Sequence, residues 1–311
     1  MRIAVIDCGT NTFNLLIAEV KGNKPEFIYE EKIPVKIGKG GIEHQVIVPE
    51  AYQRALDAMQ TYRKALDAHQ VDKVIATSTS AFRSTINGPQ LKQDILEKTG
   101  IEVEIISGEQ EADYIYQGVT WALEPEQDKI YLVMDIGGGS TEFILFKNQE
   151  ILFKESYLLG ASRLLEKLKP ADPLAEKDIQ ACYQYFGEVL NSSLITVCKK
   201  HPPEILIGSS GFFDTLRKIC YYKFHNDQPE QVNQVNYRIG LAEFNSCYDL
   251  MLPLNAEERM SIQGMTPFRA EMMGVSMLLV NYIIHQTGVQ HIINTAYALK
   301  EGVLRQYIET R

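Results

Sequence analysis

The sequence predicts an α/β protein built from two similar halves, each a mixed sheet flanked by helices. Two observations carry that prediction. First, one pattern occurs twice: an acid closes an apolar run, small residues and hydroxyls follow, and a second apolar run begins. It reads Asp7-Cys8-Gly9-Thr10-Asn11-Thr12 after Ile3–Ile6, and Asp135-Ile136-Gly137-Gly138-Gly139-Ser140-Thr141-Glu142 after Ile130–Met134. Second, both copies continue as strand, turn, strand, turn, strand and then helical periodicity, and strands alternate with helices further along the chain.

In the first half, Phe13–Val20 reads as a strand, Lys21–Lys24 as a turn and Pro25–Ile37 as an extended segment. Pro49–His69 is helical because Ala55, Leu56, Met59, Tyr62 and Leu66 fall on one face. Lys73–Ser78 and Ile101–Ile106 are strands, and a helix runs from Gly108 or Glu109 to about Leu123. In the second half, Glu142–Phe146 and Glu150–Tyr157 are strands around a turn at Lys147–Gln149. Ala161–Leu168 is a short helix, Pro170–Pro173 interrupts it, and Leu174–Lys199 resumes the helical pattern. Glu204–Ile207 is a strand leading into a loop at Gly208–Gly211, and Gln228–Gln234 is a polar surface loop. Met272–Ile284 is a core helix, His291–Thr295 the last strand and Leu299–Glu309 the last helix. Glu, Pro and Gln break the pattern at Leu123–Asp128. The expected division is therefore 1–124, joined by the returning helix 299–311, and 125–298.

Composition narrows the function. A chain of 311 residues, 45% hydrophobic and 23% charged, suits two ordinary globular domains. The net charge of −9 comes with no broad basic face, so nucleic acid is not an expected partner. A polyanionic ligand would need local N–H groups, a few Arg or Lys, and metal. Five cysteines without a Cys-x-x-Cys pair read as free thiols in a reducing cytoplasm, and Cys8 as a small buried thiol. The histidines form no His-Glu-x-x-His zinc motif. The first strand begins at Arg2, leaving no expected signal peptide, and Met272–Ile284, interrupted by Asn281, is too short for a bilayer.

The two turns suggest phosphate chemistry. Glycines let backbone N–H groups converge on an anion, and hydroxyls add donors. Gly137, Gly138, Gly139 and Ser140, with the side chains of Thr10, Asn11, Ser140 and Thr141, form the expected cradle. Asp7 and Asp135, at strand ends beside the loops, can hold the Mg²⁺ that accompanies polyphosphates. Glu142 enters the next strand at the same end of the sheet and can position metal or water. Arg83, after a strand end, can fork onto a phosphoryl oxygen. Blander roles compete: Glu109 and Glu111 also favour a helix N-terminus, Arg83 can be a surface ion-pair partner, and Asp7 and Asp135 can be strand-end caps. Lys199-Lys200-His201 reads as a solvated helix end, and Tyr221, Tyr222 and Phe224 as core.

A repeated hairpin with two phosphate loops resembles the actin, sugar-kinase and heat-shock ATPase superfamily. The match narrows through Thr77-x-x-Ser80-Ala81-x-Arg83, Ser107-Gly108-Glu109-x-Glu111-Ala112, Asp135–Glu142, Leu159-Gly160-Ala161-x-Arg163-Leu164, Phe268-Arg269-Ala270-Glu271 and Leu299-Lys300-Glu301-Gly302. These are similar to the exopolyphosphatase and guanosine pentaphosphate phosphatase family, in its short two-domain form. The resemblance implies two actin-like (ribonuclease H-like) domains around a central cleft, and Mg²⁺-dependent hydrolysis of a terminal phosphoanhydride. The substrate would be polyphosphate or guanosine pentaphosphate. The resemblance makes Glu111 the general base. It also places the loop that carries Ser209 near the base or the phosphate tail of the ligand, with Ser209 as a candidate phosphate contact, although Gly208-Ser209-Ser210-Gly211-Phe212 departs from the family's Gly-x-Gly-Gly-Thr. Arg269 would contact substrate or pair with Glu271. A small-molecule kinase and a non-catalytic alarmone or polyphosphate sensor remain alternatives, and a homodimer stays open.

Overall fold

The computed structural model describes residues 1–22, 24–225 and 234–311. The first half runs β1 (Arg2–Cys8), β2 (Thr12–Lys21), β3 (Lys24–Pro34), α1 (Pro49–Ala68), β4 (Lys73–Ser78), α2 (Ser80–Ser84), α3 (Gly88–Thr99), β5 (Val103–Ile105) and α4 (Gly108–Ala122). The second opens with β6 (Ile130–Ile136), β7 (Thr141–Lys147), β8 (Glu150–Tyr157), α5 (Ala161–Leu168) and α6 (Glu176–Leu190), and continues through a π-helical turn at Asn191–Ile195 into α7 (Thr196–Lys200). It ends with β9 (Ile205–Ser209), α8 (Ser210–Phe224), β10 (Asn236–Ile239), α9 (Leu241–Met251), α10 (Ala256–Met260), a 3₁₀ turn at Pro267–Arg269, α11 (Ala270–Thr287), β11 (His291–Thr295) and α12 (Leu299–Glu309).

The five strands of one sheet match five of the six in the other, β10 being the extra edge strand. One has the order β3-β2-β1-β4-β5, the other β8-β7-β6-β9-β11-β10 read in the same direction. β1 and β6 each pair antiparallel with the following strand and parallel with a strand reached through helices. The registers agree as well. Asp7 lies opposite Asn14 and Thr77, and Asp135 opposite Glu142 and Ser209. Duplication thus sets the two acids at equivalent points of two mixed sheets.

Apolar runs explain the layers. β1, β2, β6 and β7 are buried almost throughout because both faces of each sheet are covered. Helices such as α1 and α3 cover one outer face through Leu56, Met59, Tyr62, Leu91 and Ile95. A third cluster joins the halves: Ile3, Val5 and Leu16 meet Val133, Ile144 and Ile207, together with Ile115 and Val119 of α4 and Val303 of α12. α11 is apolar because it is buried, from Met273 to Ile283, and no helix among the described residues is long and apolar enough to cross a membrane.

Several boundaries differ from expectation. The predicted helix Leu174–Lys199 is interrupted by the π turn, and β3 ends at Pro34. Gly208–Gly211 is not a loop. β9 carries Gly208 and Ser209, and Ser210 begins α8 with a left-handed φ of 65°. That sharp strand-to-helix passage costs backbone strain for a non-glycine residue. Gly208 is required because the Phe213 ring lies where a side chain would project. β10, α3, α8, α9 and α10 have no counterpart in the sequence reading. The expected surface loop at Gln228–Gln234 lies, but for Gln234, outside the described residues.

α12 returns to pack on α4. A Cβ on Gly118 would overlap the Ala298 carbonyl, and one on Gly302 would overlap the Tyr114 carbonyl. Arg305 Nη1 closes the contact on Gln117 O and Thr120 Oγ1, both at 3.1 Å. Gly302→Ala should therefore destabilise the fold by about 1–3 kcal/mol. Chemical denaturation measures this, and an unchanged midpoint would contradict the close packing of the two helix backbones.

Candidate active site

Strand ends and helix starts converge on one cleft. Asp7, Thr10, Asn11, Glu111, Asp135, Gly137–Ser140 and Arg269 line it. The two glycine turns meet tip to tip. A side chain on Gly138 would run into Asn11, and one on Gly139 into Ser80 Oγ and Thr10 Oγ1. Asn11 already reaches across the cleft, its Nδ2 donating to Met272 Sδ at 3.1 Å and its Oδ1 accepting from Ser162 Oγ at 2.8 Å.

The second turn is held from behind by α5. Ala161 N–H donates to Gly137 O at 2.9 Å, and Ser162 N–H to Gly138 O at 3.0 Å. The Gly139 carbonyl accepts from Arg163 Nε at 2.9 Å. In trans peptides each following N–H points away from its carbonyl. The N–H groups of Gly138, Gly139 and Ser140 therefore face away from α5, the arrangement of an anion nest. Gly160 permits this approach, since a Cβ there would collide with the backbone of Gly138 and Gly139.

Among the described residues six carboxylates sit in or beside this space: Asp7, Glu111, Asp135, Asp214 and Glu301 in the lining, and Glu142 behind it. Burial pushes Asp7 up to about 7, against a hydrogen bond from Asn14 Nδ2 at 2.9 Å; the negative charge of Asp135 adds to the rise. Burial also raises Asp135, opposed by Ser209, whose hydroxyl donates at 2.7 Å. Glu142, nearly inaccessible, is pushed to about 7 by burial and then by Asp135. Ser156 Oγ donates to it at 2.6 Å. Glu111 is raised by burial first and by Glu142 second, while Arg83 opposes the shift. Arg83 donates from Nη1 and Nη2 to Glu111 Oε2, each at 3.2 Å, and from Nη1 to Ile106 O at 2.8 Å.

The capping box at α4 explains where Glu111 falls. Ser107 Oγ accepts from Gln110 N–H and Gln110 Oε1 accepts from Ser107 N–H, starting the helix so that Glu111 lies on its first turn.

Some expected cradle groups are engaged elsewhere. Thr141 Oγ1 donates to Leu159 O at 2.9 Å and Ser209 Oγ to Asp135, both fully buried. Thr141, Glu142, Ser209 and Arg83 stand behind the lining rather than in it. Arg269 donates to Gly211 O and to Thr215 Oγ1, while Glu271 pairs with Lys39 at 3.5 Å, so the alternative Arg269–Glu271 pair does not form. Cys8 is a buried thiol beside Met59, and all five cysteines are free. The reading gave no role to Lys32 and Asp214, paired at 3.7 Å, although both line the cleft. Nor did it give roles to the buried Lys300–Glu301 pair or to Ser80, whose buried hydroxyl has no partner among the described residues. Ser80, Lys300 and Glu301 lay in motifs quoted above, which was the available signal.

The expected metal set was Asp7, Asp135 and Glu142. Among the described residues no three His, Cys, Asp or Glu side chains are grouped to hold an ion. Glu142 is turned into its Ser156 bond instead. Asp7 and Asp135 still fit a hard cation. Both are buried and repel one another, and Lys300, which offsets part of this for Asp7, is itself bonded to Glu301. Mg²⁺ commonly takes only one or two carboxylates and completes its shell with water and substrate phosphates.

Two such sheets, each presenting an acid and a glycine turn to one cleft, define an actin-like α/β protein. The chain belongs to the Ppx/GppA phosphatase family, whose profile matches residues 16–310. It is similar to a crystallised exopolyphosphatase from Cytophaga hutchinsonii, at 40% identity and a TM-score of 0.95, over 100% of this chain and 98% of that one. It is 26% identical to exopolyphosphatase 2 of Mycobacterium tuberculosis over 97% of both chains. A stretch of 171 residues, 53% of this chain, is 34% identical to a bifunctional 3-dehydroquinate synthase/phosphatase of Fusobacterium nucleatum, of which it spans 26%.

The raised Asp7 makes a stability prediction. Its folded value near 7 lies above the unfolded value of about 3.9. Between those values the folded chain holds a proton that the unfolded chain has lost, so stability falls as pH rises. Without divalent cation, melting temperature should drop more between pH 5 and pH 8 in the wild type than in Asp7→Asn, by a few degrees. Added Mg²⁺ should narrow the gap. Equal slopes in the two proteins would contradict the burial of a strained carboxylate.

Proposed function

We propose that this chain is an exopolyphosphatase, hydrolysing the terminal phosphoanhydride of inorganic polyphosphate to release orthophosphate. The same chemistry would remove the 5′ γ-phosphate of guanosine pentaphosphate. One observation carries the reading: Glu111, a buried carboxylate with a raised pKa, shares a cleft with the Gly137–Ser140 nest.

Phosphoryl transfer needs donors on the phosphoryl oxygens, a compensating charge, a positioned water and a proton acceptor. The N–H groups of Gly138, Gly139 and Ser140, with Thr10 and Asn11 opposite, take the terminal phosphoryl group. Glu111 accepts the proton of the attacking water, and the charge of Glu142, behind the cleft wall, helps to raise Glu111 as a base. Arg83 fixes Glu111 and offers a guanidinium toward the developing charge. Asp7 and Asp135 would hold Mg²⁺, which supplies charge neutralisation on the phosphate oxygens when bound. Arg269 faces the chain behind the terminal unit. The halves, 1–124 with 299–311 and 125–298, act as domains that close on the substrate and exclude bulk water. Free buried thiols agree with a cytoplasmic setting.

A base must be unprotonated to act, so activity should rise with pH through the raised Glu111 value. Arg83 lowers that value, so Arg83→Met should move the acid limb of kcat/KM to higher pH as well as reduce kcat. Glu111→Gln should lower kcat by about 10²-fold or more while substrate binding persists. Phosphate release from long-chain polyphosphate and from guanosine pentaphosphate, with and without Mg²⁺, measures all three proteins. No release from either substrate by the wild type, or full turnover by Glu111→Gln, would overturn the assignment.

A further inference from the structure

Arg163 has a place in the fold that its sequence position does not announce. It lies on the first turn of α5, is only 7% exposed, and does not line the cleft. Its guanidinium nevertheless joins both sides of it. Nε donates to the Gly139 carbonyl at 2.9 Å. Nη2 donates to Ser84 Oγ at 3.1 Å, and Nη1 lies 3.4 Å from Glu43 Oε1. Gly139 belongs to the glycine turn of the second half. Ser84 and Glu43 belong to the first half, and Ser84 is the neighbour of Arg83.

The first two carbonyls of the turn need no side chain to fix them, because the α5 N-terminus supplies main-chain N–H groups to Gly137 and Gly138. Gly139 is too far along the turn for the same treatment, and the Arg163 side chain takes over. A glycine peptide has little steric preference between its two faces. Without a donor on its carbonyl the Gly139–Ser140 peptide can rotate and withdraw the Ser140 N–H from the cleft. We propose that Arg163 is a positioning residue for phosphate hydrolysis: it holds the Gly139–Ser140 peptide with its N–H toward the substrate, and ties that orientation to Glu43 and Ser84 on the opposite wall. The nest is then complete only when the two halves are together. A planar guanidinium suits this role, since its N–H groups diverge in one plane to three acceptors, and an ammonium cannot reproduce them. This inference rests on the phosphate-binding reading of Gly137–Ser140.

The neighbourhood supports coupling rather than simple packing. The same segment of the first half makes two further contacts with the second half, Lys39 with Glu271 and the Gly40 N–H with Glu166. Those two are exposed and weak individually. The Arg163 contact alone reaches the backbone of the phosphate turn.

The test uses Arg163→Gln, Arg163→Lys, Glu43→Gln and Ser84→Ala in the full chain, with phosphate release from polyphosphate read as kcat and KM separately. The nest acts on charge developing in the transition state. Arg163→Gln should therefore lower kcat by about tenfold or more while KM changes by less than about threefold, and Arg163→Lys should recover only part of the loss. Glu43→Gln and Ser84→Ala, which leave the Gly139 bond in place, should each lower kcat severalfold. Adding Glu43→Gln to Arg163→Gln should cost nothing more, because the tether is already gone. Kinetics of Arg163→Gln within twofold of wild type would overturn the proposal, as would a loss that is additive with Glu43→Gln. If Arg163→Gln does not fold, wild-type kcat in both Glu43→Gln and Ser84→Ala would overturn it instead. A wild type active on polyphosphate beside an unaffected Arg163→Gln removes only the role of Arg163. A wild type that releases no phosphate removes the reading of the site and this inference with it.

Discussion

Desolvation of buried carboxylates, sharpened by repulsion between neighbouring acids, is the constraint around which this molecule is arranged. Asp7, Asp135, Glu111 and Glu142 occupy desolvated positions near one another, and each has its ionised form disfavoured by burial and, for all but Asp135, next by a neighbouring acid or after one hydrogen bond. Such a group is tolerated only where surrounding polar atoms satisfy it. Each acid has such support: Asn14 on Asp7, Ser209 on Asp135, Ser156 on Glu142 and Arg83 on Glu111. Each support comes from a different strand or helix of the same half as its acid, so each half must fold to supply its own. A ligand bearing cations, or a transition state that consumes a proton acceptor, relieves the same repulsion.

Duplication builds the framework and then departs from symmetry where chemistry is needed. Asp7 and Asp135 stand at matching registers, with a threonine or serine on the parallel neighbour in each case. The antiparallel neighbours differ: neutral Asn14 faces Asp7, and acidic Glu142 faces Asp135. That single difference gives the second half an extra acid, whose charge helps to raise Glu111 on the neighbouring helix. The first half contributes Glu111 and Arg83, the second the Gly137–Ser140 turn. Equivalent scaffolds thus carry unlike halves of one site.

Much of the framework was legible because it is local. Apolar runs ending in an acid and a glycine turn announce β1, β2, β6 and β7, and the Ser107 capping motif announces the start of α4. Register follows from hairpin length, so the placement of Glu142 opposite Asp135 was readable in outline. What could not be read is side-chain commitment. Nothing local says that Thr141 bonds to Leu159, that Ser209 bonds to Asp135, or that Glu142 turns to Ser156, since each partner comes from a distant strand or a loop packed later. The passage from β9 to α8 was misjudged for a similar reason. Two glycines suggest a loop, whereas the first makes room for Phe213 and the second lies under Arg269. Arg163 carried a motif signal but no chemical one, because its acceptors are a backbone carbonyl and two residues from the other half.

The close crossing of α4 and α12 has a mechanical meaning. Helices this close, with backbone touching backbone at Gly118 and Gly302, cannot slide or splay without losing that contact. Glu111 rides at one end of that pair, and Lys300 with Glu301 at the start of the other helix. The pair is therefore a rigid strut, which fixes Glu111 and the buried Lys300–Glu301 pair relative to each other.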